Sequence, residues 1–303
     1  MGAPLIRFAG CAALAAALVI GAPAAAQPKP PSPALAQARA ALAASPGYAT
    51  SEAQYAALKA KARGGGRITW DRLPDWSGLW ETEMPDRSDG VTPMTQKSTA
   101  PLKPDYAAKY AKLLQDVAAG RAVDHLTYCL PAGFPRSRTM PFLTEFTLTP
   151  QRTEHIIEVG SEVRRIYTDG RAHMSEDEAY PLWSGDAIGF WDGPVLVVHT
   201  NHLRKYDSGY GRWGPPQSEQ ASSVERIWRA TPDEMVSEIT VYDPEVLTGP
   251  WRAVHAWRRV TSPSARIDTY TCNENPNASV TDQGTHLILP GEPGSGVRGA
   301  AKP

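Results

Sequence analysis

Polar side chains set into strand-like runs are where this sequence could do chemistry. Alternation over 153–159 puts His155 on one face with Ile157 and Val159. Over 162–168 it groups Val163, Arg165 and Tyr167, and over 194–200 Val195, Val197 and His199. Over 251–260 it groups Trp251, Ala253, His255 and Trp257. A buried His or Arg needs partners, so each face is either a paired core network or the lining of a polar-spotted cavity. Four such faces in one chain point to a lined pocket. In it His155 or His199 would act as base, Tyr167 or Glu219 as acid, and Arg165 would stabilise developing negative charge.

The stretch 162–173, EVRRIYTDGRAH, is the densest. Thr168-Asp169-Gly170 is a turn signal, so Arg171 and His173 should emerge at a barrel mouth. Arg165 and Arg171 could clamp an anion there, and His173 could exchange a proton. Asp169 either joins that site or only holds the turn. Glu219 precedes the run 222–230, a place for a rim residue. Trp191, Arg171, His173, Arg226, His255 and Trp257 make up the expected binding set. Other chemistries are poorly supported. Gly209-Tyr210-Gly211-Arg212-Trp213-Gly214 matches a dinucleotide fingerprint but runs into Pro215-Pro216, which leaves no helix N-terminus for a pyrophosphate. His199 and His202, three apart, fall on opposite strand faces with no further ligand nearby, so neither a metal nor a cofactor is expected.

The compartment follows from the first residues. Arg7, the apolar run Phe8–Gly21 and Ala24-Ala25-Ala26 read as a signal peptide over 1–26, which implies a periplasmic or secreted protein. No later run is long and apolar enough to span a membrane, so no span is expected after signal cleavage. Net charge −1 provides no basic face for nucleic acid. Cleavage removes Cys11 and leaves Cys129 and Cys272. In an oxidising compartment they read as one disulfide closing a loop of about 140 residues, worth about 4 to 5 kcal/mol in the chain-entropy account; the other reading is two buried thiols.

The elements that must position these groups are mostly strands. Residues 27–66 form a Pro/Ala-rich leader, read as a mobile tether or loosely docked arm without chemistry. Within it Ser51-x-x-Gln54 has the spacing that opens a short helix. A second helix is expected from Pro104 to Ala119, with Tyr106, Tyr110, Leu113, Leu114 and Val117 on one stripe and Gly120 as its stop. Beyond residue 142 the period becomes two. Strands are expected at 142–149, 153–159, 162–168, 186–191, 194–200, 222–230, 234–242, 251–260 and 266–272, and one near Trp76–Glu81. The expected fold is mainly β: a single antiparallel β-barrel of about eight to ten strands over 67–276, with one or two peripheral helices and an irregular tail over 277–303.

The serial order of motifs is similar to that of a large, mostly uncharacterised family of secreted bacterial proteins with a lipocalin-like β-barrel. The residues that carry it are Arg165-Ile166-Tyr167-Thr168-Asp169-Gly170-Arg171, then Gly189-x-Trp191-x-Gly193-x-x-Leu196-Val197-Val198. Ser218-Glu219 with Val224-Glu225-Arg226 follow, between the paired Cys129 and Cys272. Gly78-x-Trp80 also resembles the opening motif of lipocalin-type barrels. The resemblance covers roughly residues 74–276 and implies fold and compartment but no reaction. One departure is Gln217, where the resemblance leads one to expect His before the Ser-Glu pair. The combined expectation is an exported protein that binds and transforms an apolar or aromatic small molecule in a barrel pocket. The chemistry would be cofactor-independent acid/base catalysis of lyase, isomerase, hydratase or hydrolase type. The alternatives are a non-catalytic small-molecule carrier and a structural envelope protein.

Overall fold

The structure is a computed structural model and describes residues 31–83, 99–207, 210–211, 213–268, 270, 278–281 and 284–287. The expected signal peptide and Cys272 lie outside the described residues.

Nine strands close into one barrel in sequence order. They are β1 (Trp80–Thr82), β2 (Leu143–Leu148), β3 (Arg152–Ile157), β4 (Glu162–Tyr167), β5 (Asp186–Asp192), β6 (Val195–Asn201), β7 (Ser222–Thr231), β8 (Glu234–Tyr242) and β9 (Trp251–Arg259). Closure comes from β1, which pairs with β2 on one side and β9 on the other. Every other neighbouring pair is antiparallel except β4 and β5, which run parallel through Ile166↔Ala187 and Tyr167↔Ile188. The barrel is therefore mixed, not wholly antiparallel. The described residues of the run 266–272 form no strand, and β10 (Ala278–Thr281) and β11 (Gly284–Leu287) pair with each other where turn-like composition predicts an irregular tail.

The leader does not behave as a tether. Ser32 caps α1 (Pro33–Ala44) by accepting from Leu35 N–H, and Leu35, Ala38 and Leu42 bury their side chains against Val236, Val254 and Ala256 on the outside of β8 and β9. Thr50, not Ser51, caps α2 (Ser51–Lys61). That helix sets Tyr55 and Leu58 on Phe190, Val197 and Val224. The arm thus covers the outer wall from β6 to β9, which is why every residue of β8 is buried on both faces. The third helix, α3 (Pro104–Ala118), ends before Gly120 as expected and buries only Tyr110. No helix among the described residues is long and apolar enough to cross a membrane.

Candidate functional site

Along four strands the inward positions run apolar, polar, apolar. On β9, His255 sits between Trp257 and Ala253; on β8, Ser237 sits between Met235 and Ile239. On β7, Ser223 and Glu225 lie between Ala221 and Ile227, and Thr200 on β6 lies between Val198 and Leu203. Opposite them, β3 contributes Thr153 and His155, and β4 contributes Arg164, the direct cross-strand neighbour of His155. The apolar flanks belong to two separate clusters. One holds Trp76, Trp80, Phe146, Trp191 and Trp257; the other holds Phe134, Tyr210, Trp251 and Ala253. A polar belt thus crosses the barrel between two aromatic-rich layers.

A buried loop supplies the last member of the belt. Residues 132–140, from Ala132 to Met140, are buried throughout, which is unusual for a connecting segment. The loop is tied in by its backbone. Phe134 N–H donates to Trp183 O at 2.7 Å, and the Glu162 carboxylate accepts from Ala132 and Gly133 N–H. Gly133 has φ +69°, and a Cβ there would lie 2.9 Å from the Trp183 carbonyl oxygen, so only glycine fits. Asp124 clamps Arg136 through both carboxylate oxygens, at 2.8 and 2.6 Å. The turn Arg136–Thr139 then projects Arg138 into the belt.

Within the belt Glu225 stands between two guanidiniums. Arg164 Nη2 donates to Glu225 Oε2 at 2.5 Å and to Thr200 Oγ1 at 2.8 Å. Arg138 Nη1 lies 2.9 Å from Glu225 Oε1, but off the hydrogen-bonding direction. Among the described residues Arg138 Nε, Nη1 and Nη2 therefore lack a hydrogen-bond acceptor, although the residue is 1 % exposed. The same holds for Arg164 Nε, His155 Nε2, His255 Nε2, and the hydroxyls of Thr153, Ser223 and Ser237. Burial, with Arg164 and Arg138 nearby, holds His155 well below its ordinary value; burial and Arg138 do the same to His255. Both imidazoles are neutral. Burial lowers Arg138 to about 10 against the opposing pull of Glu225, which leaves it charged at pH 7.

A second polar chain runs on the outside, under α2. Asp186 Oδ2 is 2.8 Å from His173 Nδ1, and His173 Nε2 is 2.7 Å from His199 Nδ1. His199 Nε2 is 2.9 Å from Ser51 Oγ, which is 2.8 Å from Ser222 Oγ. The carboxylate of Asp186 accepts from His173 Nδ1, and the chain of contacts continues through His199 to the two serine hydroxyls. Burial would raise Asp186, but hydrogen bonds from His173 and from Met174 N–H outweigh it and hold the carboxyl low.

The expected site residues therefore separate. His155, His255, Trp191 and Trp257 point into the barrel. Arg165 does not: parity on β4 turns Arg164 inward, and Arg165 lies outside beside Glu154 at 3.5 Å. Tyr167 is also outside, beneath the Arg171 guanidinium at 3.8 Å. Asp169 holds the turn and pairs with Arg171 at 2.7 Å, the arginine exposed and the carboxylate half-buried. Arg226 points outward to Glu238 at 2.8 Å, and Glu219 is exposed. His173 and His199 meet each other, away from the lumen. Arg138, Arg164, Glu225, Ser223 and Ser237 are absent from the expected set; only the doubled Arg164-Arg165 and the Glu225-Arg226 pair signalled that one of two neighbours faces inward.

No protein-family model matches this chain, and no curated protein matches it.

Proposed function

We propose that this is an exported protein, periplasmic or secreted, that binds an apolar or aromatic small molecule in the barrel lumen and transforms it by acid/base chemistry without a cofactor. The observation that carries this reading is the polar belt, in which several buried hydrogen-bonding atoms have no partner among the described residues, set between two aromatic layers. Protein interiors rarely leave such groups unpaired, whereas ligand sites combine an apolar lining with a few placed polar groups. His155 and His255, neutral and with open Nε2 atoms, are the proton acceptors in this reading, and Arg164 with Arg138 stabilises the negative charge that develops. Lyase, isomerase, hydratase and hydrolase reactions all fit that pair of roles. Export and the Cys129–Cys272 disulfide are part of the proposal, and rest on the signal-like residues 1–26 and the resemblance to secreted proteins.

One observation favours a carrier as the second reading. Both lumen histidines are held well below the range in which an imidazole is an effective base near pH 7. Incubating the mature chain with a pool of apolar and aromatic metabolites, followed by chromatography with mass detection, separates the two. Conversion that disappears in His155→Ala or His255→Ala, with stability held to within about 2 kcal/mol, supports the enzyme. Enrichment without conversion supports the carrier, and no enrichment rules out the lumen as a binding site.

A further inference from the structure

We infer that the molecule held in the lumen carries one carboxylate, seated against Arg138 within the polar belt. This rests on the lumen reading above and adds the ligand's charge class.

Charge balance comes first. The belt holds two guanidiniums, Arg138 and Arg164, and one carboxylate, Glu225, while His155 and His255 are neutral. One positive charge is left over at a place where Arg138, Arg164 and Glu225 are no more than 1 % exposed. A buried charge without a counter-charge is expensive, and a single monoanion removes the excess.

Hydrogen-bond balance agrees with it. Four of the open atoms are guanidinium donors, Nε, Nη1 and Nη2 of Arg138 and Nε of Arg164, and the Ser223 and Ser237 hydroxyls can donate beside them; the open acceptors are Glu225 Oε1 and the Nε2 atoms of His155 and His255. A carboxylate only accepts, and its two oxygens match the fork of a guanidinium. Arg164 is hydrogen-bonded to Glu225 and Thr200, whereas Arg138 meets Glu225 only as an ion pair at 2.9 Å and makes no hydrogen bond, which makes Arg138 the docking cation. The layers on either side are aromatic, with the Arg138 guanidinium 5.4 Å from the Trp257 ring and Phe146 stacked on His155 at 4.4 Å. An apolar or aromatic stem behind the carboxylate would meet these rings, whereas an inorganic ion would not.

Matched pairs of probes test the charge separately from the pocket. Benzoate with benzamide, cinnamate with cinnamamide, and octanoate with octanamide differ in charge but hardly in shape. Titrated into the mature chain by calorimetry, at least one acid should bind ten-fold or more tightly than its amide. Arg138→Met should abolish that preference, and Arg138→Lys, which keeps charge but loses the fork, should weaken the acid at least ten-fold. If Arg138→Met does not fold, Arg138→Lys and the wild-type comparison still decide. Amides that bind as well as acids overturn the carboxylate but keep the lumen site. Neither class binding overturns both readings. Chloride matching the acids shows a simple anion site and overturns the organic ligand. Acid binding unchanged in the folded Arg138 variants moves the site elsewhere and overturns the assignment.

Discussion

Ser51 Oγ lies 2.9 Å from His199 Nε2, and this contact fastens the first turn of α2 to the outer face of β6. The histidine can accept only while neutral. Burial, with His173 beside it, lowers His199 to about 4, opposed by Glu52 and Asp186. Between that value and the ordinary 6.5 the unfolded chain binds the proton and the folded chain does not, so stability falls as pH drops through the window. His155 and His255 act in the same direction. His199→Asn should therefore reduce the slope of stability against pH by up to one proton, about 1.4 kcal/mol per pH unit. Urea unfolding of both chains from pH 7 to 4 measures it, and equal slopes would disprove it.

Glu225→Gln should destabilise the barrel by about 3 to 5 kcal/mol, because it leaves two buried guanidiniums facing each other without an anion. Adding Arg138→Met should recover part of the loss. Thermal unfolding of the single and double variants checks both statements; a double variant less stable than the single would refute the charge argument.

Removing residues 27–66 should cost about 3 to 6 kcal/mol, the transfer value of Leu35 and Leu42 alone. Val236, Val254 and Ala256 would then face water on the outer wall. Unfolding midpoints and light scattering report it. A truncated chain as stable as the intact one would restore the tether reading.

The mature protein should be lighter by two hydrogens than its reduced form, through a Cys129–Cys272 bond, and reduction should lower stability by about 4 to 5 kcal/mol. Intact mass with and without reductant decides the first, and free thiols on the folded protein would disprove it.

The barrel was legible because nearly every strand announces itself by period two, and eight of the nine lie within a few residues of where alternation puts them. Which face of each strand looks inward was harder to read. Where one side is wet the parity is plain, as on β9, where Trp251, Ala253, His255 and Trp257 do line the interior. On β4, Val163 suggested a core face, yet it is exposed and the charged Arg164 is the buried neighbour. On β7 and β8 the arm covers the outside, and each face mixes apolar with polar residues, so alternation carries no direction. Arg138 could not be found by any period, because it arrives on an irregular loop whose burial depends on a distant carboxylate, Glu162.

The single parallel seam has a consequence for how the chain assembles. Strands β5 to β9 form an unbroken run of antiparallel neighbours, and β2 to β4 form another. Between these runs the seam holds only two residue pairs, and the 168–185 connection must travel back along the barrel before β5 begins. The final closure, Trp80 with Arg259, joins residues at opposite ends of the domain sequence. Contacts close in sequence form early and distant ones late. The two runs are thus expected to gain protection as separate blocks, with the seam and the β1 clasp sealing the polar belt last. Pulse-labelled hydrogen exchange during refolding would show this as late protection confined to β1 and the β4–β5 pair.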